Sequence, residues 1–162
     1  MDRSKAEFMI ANLAQFNGVD PDLAIAIAEV ESNFNEKAAR FEANWKYAYN
    51  CESFARATGI SEDTERIFQM CSWGMMQVMG TVARELGHRG PMLDLILPEV
   101  GIKFGCLKIR EIMRKFSYED DIIAAYNAGQ PKKMPDGRYY NNVYVAKVRG
   151  ILAQRRVNHK KP

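Results

Sequence analysis

The segment DPDLAIAIAEVESNF, residues 20–34, leaves the chain one regular conformation and then sets two carboxylates close to where that conformation ends. Asp20 suits an N-cap, Pro21 suits the first helical position, and Asp22 adds negative charge to the first turn, so the sequence predicts a helix from about Pro21. Leu23, Ile27, Val30 and Phe34 recur at helical spacing and define an apolar stripe for the core. Glu31 falls at the edge of that stripe, beside the small Ala24 and Ala28. Glu29 falls about 160° away around the helix. Glu29 is therefore expected to be solvated, whereas Glu31 is expected to be half-desolvated and near the negative end of the helix dipole. Both conditions penalise the anion and raise the carboxyl pKa, as a proton donor working near neutral pH requires.

The rest of the chain sets limits on what such an acid can serve. A length of 162 residues suits one domain, and 47% hydrophobic with 27% charged residues is the balance of a folded globular chain. The net charge of +3 permits attraction to an anionic polymer, but no interleaving of basic and aromatic residues points to nucleic acid. There is no run of 18 apolar residues, and the opening MDRSKAEFMI lacks the pattern of a signal peptide, so synthesis in the cytoplasm is expected. Cys51, Cys71 and Cys106 are odd in number and irregularly spaced, which reads as free thiols. With only His88 and His159 beside them, no zinc spacing or Cys-His nucleophile pair emerges, and neither metal nor organic cofactor is expected. Gly101 and Gly105 form a GxxxG whose charged surroundings indicate close helix packing in water.

Along the chain, Ser4 and Glu7 read as a capping box for a first helix that stops at Gly18. After residue 34 the pattern loosens. Phe41, Trp45, Tyr47 and Tyr49 alternate like a strand, and Ser61 opens a short helix to about Met70, together suggesting a small irregular or hairpin lobe. Helical patterns return over 81–86 and 98–115, the latter with Val100, Phe104, Leu107 and Ile112 inward. Ser117 or Asp120 can cap a helix ending at Ala128 and Gly129. The Pro135–Gly137 turn breaks the chain before a last helix over about 142–156. The expected class is α+β, predominantly helical, in one domain over 1–162, with residues 155–162 as a flexible basic tail.

Three further stretches stand out. SWGMMQVMG sets Gly74 before Met75, Met76 and Gln77; AAYNAG sets Tyr126 and Asn127 side by side in an apolar helix; NNVYVAKV sets Tyr144 among valines. In this order, with Glu31-Ser32 ahead of them, they resemble the soluble lytic transglycosylase family, over about residues 20–150. Family members carry Glu-Ser at a helix end, then Gly-Leu-Met-Gln, then Ala-Tyr-Asn-Ala-Gly, then a late tyrosine. Met75 replaces the usual leucine, a swap that conserves volume. The interval from Ser32 to Gly74 is longer than in compact members and holds Glu42, Glu52, Glu62, Asp63 and Glu65.

The resemblance implies a lysozyme-like domain that cleaves the β-1,4 bond between N-acetylmuramic acid and N-acetylglucosamine of peptidoglycan strands. It makes Glu31 the acid and then the base of a reaction ending in 1,6-anhydromuramyl. It assigns Ser32 to the acetamido group, Gln77 and Asn127 to sugar hydroxyls or amides, Tyr126 and Tyr144 to orienting Glu31 or lining the cleft, and Gly74, Met75 and Met76 to its floor. Two alternatives stay open: a muramidase using water and a second carboxylate from residues 33–72, and a non-catalytic glycan-binding module. A compact chain of this kind resembles a monomeric phage endolysin, made in the cytoplasm of a Gram-negative host and acting on peptidoglycan in the periplasm. Its basic end would make weak contact with an anionic envelope.

Overall fold

The computed structural model describes residues 1–159. Helix α1 (Arg3–Phe16) is capped by Asp2, whose carboxylate accepts the Lys5 N–H at 2.9 Å, so the cap lies two residues ahead of the expected Ser4 box. Gly18 follows with φ +70, the left-handed turn expected of it. Helix α2 (Pro21–Ser32) starts as its sequence dictates, with Asp20 accepting from the Asp22 N–H. Every residue from Leu23 to Ala28 is buried, which makes α2 the central helix and not a one-faced surface helix. The alanines explain this, because their small side chains let α1 and later helices close on the faces that the aliphatic stripe leaves uncovered.

Three short antiparallel strands, β1 (Ala39–Phe41), β2 (Cys71–Trp73) and β3 (Val78–Met79), form a sheet in that order, with Arg40 opposite Ser72 and Ser72 opposite Met79. Between β1 and β2 lie α3 (Cys51–Thr58), which the sequence pattern did not reveal, and α4 (Glu62–Gln69), capped by Ser61 as expected. The strand-like alternation from Phe41 to Tyr49 ends at residue 41. Beyond it, side chains hold irregular backbone in place of a ladder. Gln69 accepts from the Tyr49 N–H at 2.7 Å and donates to the Tyr49 carbonyl at 2.8 Å, while the Trp45 indole donates to Thr81.

Helix α5 (Gly80–Glu85) leads through a 3-10 turn at Met92–Ile96 into α6 (Pro98–Met113). Gly101 and Gly105 are there for close packing: a methyl on Gly101 would overlap the Leu95 carbonyl, and one on Gly105 would stand 2.7 Å from Met76 Cβ. Helix α7 (Glu119–Ala128) ends at left-handed Gly129. It has no side-chain cap from Ser117 or Asp120, and its acidic first turn faces the dipole instead. Helix α8 (Asn142–Asn158) packs on α2 and α7. One hydrophobic cluster joins α1, α2, α5, α6, α7 and α8 with β2 and β3. The result is the mostly helical α+β fold expected of a lysozyme-like chain. Cys51, Cys71 and Cys106 are free.

The basic tail is corrected in part. Residues 155–158 belong to α8, and their charges are committed inside the fold: Arg155 pairs with Glu7 and Asp22, Arg156 with Asp20 and Glu119. Lys160 and Lys161 lie outside the described residues.

In the lobe between β1 and β2 the guanidinium of Arg84 grips both oxygens of Glu65 at 2.8 and 2.9 Å, with both side chains fully buried. Removing one partner strands the other charge away from water. Glu65→Ala is expected to lower the unfolding free energy by about 3–5 kcal/mol, read from urea denaturation.

Candidate active site

Helix α2 stops abruptly because Asn33 and then Phe34 take left-handed backbone, with φ 51 and 61. Glu31 thus sits in the last turn, where it emerges from the core. From the first turn of α8, the Tyr144 hydroxyl donates to Glu31 Oε1 at 2.7 Å. Burial pushes the Glu31 carboxyl above its ordinary pKa. The Tyr144 hydrogen bond and the cations Lys108 and Arg40 pull it back in part, and Glu42 pushes it up. A cleft of about 310 Å³ opens on Glu31, and Gln77, Tyr126 and Asn127 line it as well.

The remaining residues singled out by the sequence divide into two groups. Gln77 is buried and held at φ 46, its amide donating to Gly74 O at 2.9 Å and its oxygen accepting from the Ser72 hydroxyl at 2.8 Å. Tyr126 is buried, and its hydroxyl donates to the Met76 carbonyl at 2.7 Å. Asn127 is exposed and accepts from Asn141 at 3.0 Å. The other four, Ser32, Gly74, Met75 and Met76, do not line the cleft. Where a contact near the acetamido group was expected of Ser32, its hydroxyl donates to Met75 O at 2.7 Å and accepts the Asn35 N–H. The Met75 and Met76 side chains are core, 1% and 0% exposed, so only their backbone serves the site. Gly74 is required by its φ of +69 and by the Leu95 carbonyl, which a side chain would overlap.

Glu29 is not free in solvent as expected: it turns to α1, where Arg3 binds both its oxygens at 2.6 and 3.1 Å. Of the acids in the 33–72 interval, Glu42 lines the cleft. Glu65 is consumed by Arg84, while Glu52 and Glu62 pair with Arg56 and Arg66 on the surface. Glu42 accepts from Arg40 Nε at 2.6 Å, and that arginine also lines the cleft. Sequence reasoning missed Arg40 and Lys108. Lys108 had a readable signal, since it stands between Phe104 and Ile112 at helical spacing on a stripe that is otherwise apolar.

The transglycosylase SLT domain family matches residues 8–145, which takes in Glu31, Tyr144 and every residue that lines the cleft. The chain belongs to that family. Neither a curated protein nor a solved structure gives a match. Membership of the SLT family makes this an enzyme of the lytic transglycosylase type, with peptidoglycan as substrate. Among the described residues no helix is long and apolar enough to cross a membrane.

The raised pKa of Glu31 has a cost for the SLT domain that can be measured. A carboxyl that binds its proton more tightly folded than unfolded penalises the fold fully above the folded pKa. The penalty fades as pH falls, and it is gone below the unfolded value of about 4.3. Glu31→Gln is therefore expected to resist urea better than wild type at pH 7, with the difference vanishing near pH 4. An equal gain at both pH values would show that the carboxyl is not perturbed.

Proposed function

We propose that this SLT domain cleaves the β-1,4 bond from N-acetylmuramic acid to N-acetylglucosamine and leaves 1,6-anhydromuramyl ends, with Glu31 as the acid and then the base. The observation that carries the reading is a half-dry carboxyl, held by the neutral Tyr144 phenol and open to a cleft. In the first step protonated Glu31 gives its proton to the glycosidic oxygen as the C1–O bond breaks. The substrate's own acetamido oxygen stabilises the positive C1. In the second step the Glu31 carboxylate takes the proton of the muramyl 6-hydroxyl while that oxygen bonds to C1, which restores the acid. One group serves both steps only if its pKa lies near the working pH, and burial moves it that way. The chemistry asks for no metal or organic cofactor.

Tyr144 would orient Glu31, and Gln77 and Asn127 would meet sugar hydroxyls or amides from the cleft wall. Ser32, Gly74, Met75 and Met76 would act through the backbone they hold. The chain would work as a monomer on the glycan strand, in the setting of a phage endolysin released to the wall of a Gram-negative host.

A second reading draws on Glu42. A carboxylate sharing the cleft with Glu31 is what a muramidase needs to direct water at C1, in which case the products carry reducing ends. Mass spectrometry of wall digests separates the two, because an anhydro end is lighter by one water. The expected result is anhydromuramyl ends from the wild type. Glu31→Gln is expected to slow loss of wall turbidity by about a hundredfold or more. Reducing ends, with lysis abolished by Glu42→Gln, would establish the hydrolase instead.

A further inference from the structure

Lys108 is a charged group of the cleft that the reaction above leaves unused. It projects from the inward face of α6, where its neighbours one turn away, Phe104 and Ile112, belong to the core. Its ammonium stands 3.8 Å from the centre of the Tyr126 ring, and it lines the same cleft as Glu31. Among the described residues no carboxylate forms an ion pair with it and no side-chain acceptor takes its proton. Lys108 is half-buried, and a partly desolvated cation without a paired anion costs some stability that a leucine or methionine there would not. The cation needs another reason to be there.

We propose that Lys108 is a positioning residue for Glu31, a fixed cation that stabilises the carboxylate formed when Glu31 gives up its proton. This rests on the reading of Glu31 as the acid. The aromatic face of Tyr126 holds the ammonium in place without neutralising it, as a cation–π contact does, so its field reaches the carboxyl across the cleft. Tyr126 is itself anchored through its hydroxyl to Met76 O. The other groups facing Glu31 are Tyr144 from α8 and Arg40 and Glu42 from the β1 edge, and the last two are bound to each other. Lys108 also lines a larger groove, together with Glu85 of α5, Arg110 and Glu111 of α6 and Lys115 just beyond that helix. Burial lowers the Lys108 pKa to about 8, and the charge of Glu31 opposes that fall.

The balance this sets is between two demands on one carboxyl. Burial alone would make Glu31 a weak acid, protonated to high pH but slow to release its proton. A cation at a distance offsets part of that effect without forming the contact ion pair that would leave Glu31 ionised at rest.

The test is Lys108→Met, which keeps the chain length and removes the charge, followed by titration of a carbon-13-labelled Glu31 carboxyl by NMR and by kcat and KM on a soluble glycan oligomer across pH. The Glu31 midpoint is expected to rise by about one pH unit, and the alkaline limb of kcat to rise with it. The plateau kcat should fall, with KM within about twofold of wild type. Lys108→Arg, which keeps the charge, should bring the midpoint back toward the wild-type value. A midpoint that does not move overturns the proposal. So does a rise in KM with an unmoved limb, which would make Lys108 a contact to the sugar. Thermal unfolding of Lys108→Met should occur no lower than that of wild type. If both it and Lys108→Gln fail to fold, Lys108 is a structural residue and the proposal also falls. The NMR midpoint needs no turnover, so failure here is separable from failure of the Glu31 reading, which Glu31→Gln tests by itself.

Discussion

Two neighbouring backbone carbonyls, those of Met75 and Met76, tie three distant segments into one site. The first accepts the hydroxyl of Ser32 from the end of α2, and the second accepts the hydroxyl of Tyr126 from α7. Both bonds are 2.7 Å long, and the second is buried. A carbonyl stranded in such a place would lose about 1–3 kcal/mol, so the two hydroxyls hold the turn between β2 and β3 in one position against both helices. That turn in turn depends on Gly74, whose N–H donates to Ala38 O at 2.7 Å and whose missing side chain makes room for the Leu95 carbonyl. The site is thus fixed by backbone acceptors and short hydroxyl donors, and Glu31 is left without a cation in contact.

That last point separates Glu31 from Glu65. Glu65 is gripped by Arg84 and bonded also to Gln69, so both its oxygens are occupied inside the lobe and its charge is matched. Glu31 has for its short contact a neutral phenol, and its cations act from farther off. An ion pair in contact would have held the carboxyl ionised. A phenol orients it and stabilises the anion less, so desolvation still wins and the pKa stays high. The two acids differ in what donates to them, since depth of burial alone would rank Glu65 first.

Much of this was legible in the residues. The start of α2 could be read from Asp20 and Pro21, because capping and proline rules are local. Glu31 could be read from its place at the edge of a stripe, and the ordered motifs brought Gln77, Tyr126, Asn127 and Tyr144 to the same place. What escaped depends on neighbours distant in sequence. Nothing local says that the Ser32 hydroxyl bonds the Met75 carbonyl or that the Met76 carbonyl receives Tyr126. Glu29 reads as solvated until α1 brings Arg3 to it, 26 residues away in sequence. Arg155 and Arg156 look like a frayed end until Glu7, Asp22, Asp20 and Glu119 gather around them. Helix α3 escaped for a different reason: it has eight residues and a left-handed Asn50 with no side-chain bond at its start, so neither length nor cap announces it.

The long interval between Ser32 and Gly74 has a physical use in the structure. A loop of that length left irregular would carry many unpaired backbone groups. Here α3 and α4 pair part of them internally, Gln69 closes both backbone groups of Tyr49, and Thr81 accepts the Trp45 indole. The antiparallel register then sets Arg40 opposite Ser72, whose hydroxyl holds Gln77. One wall of the cleft therefore carries Arg40 and Glu42 on backbone that the lobe itself has made rigid. These charges face Glu31 from a segment separate from α2 and α8, the helices that hold it.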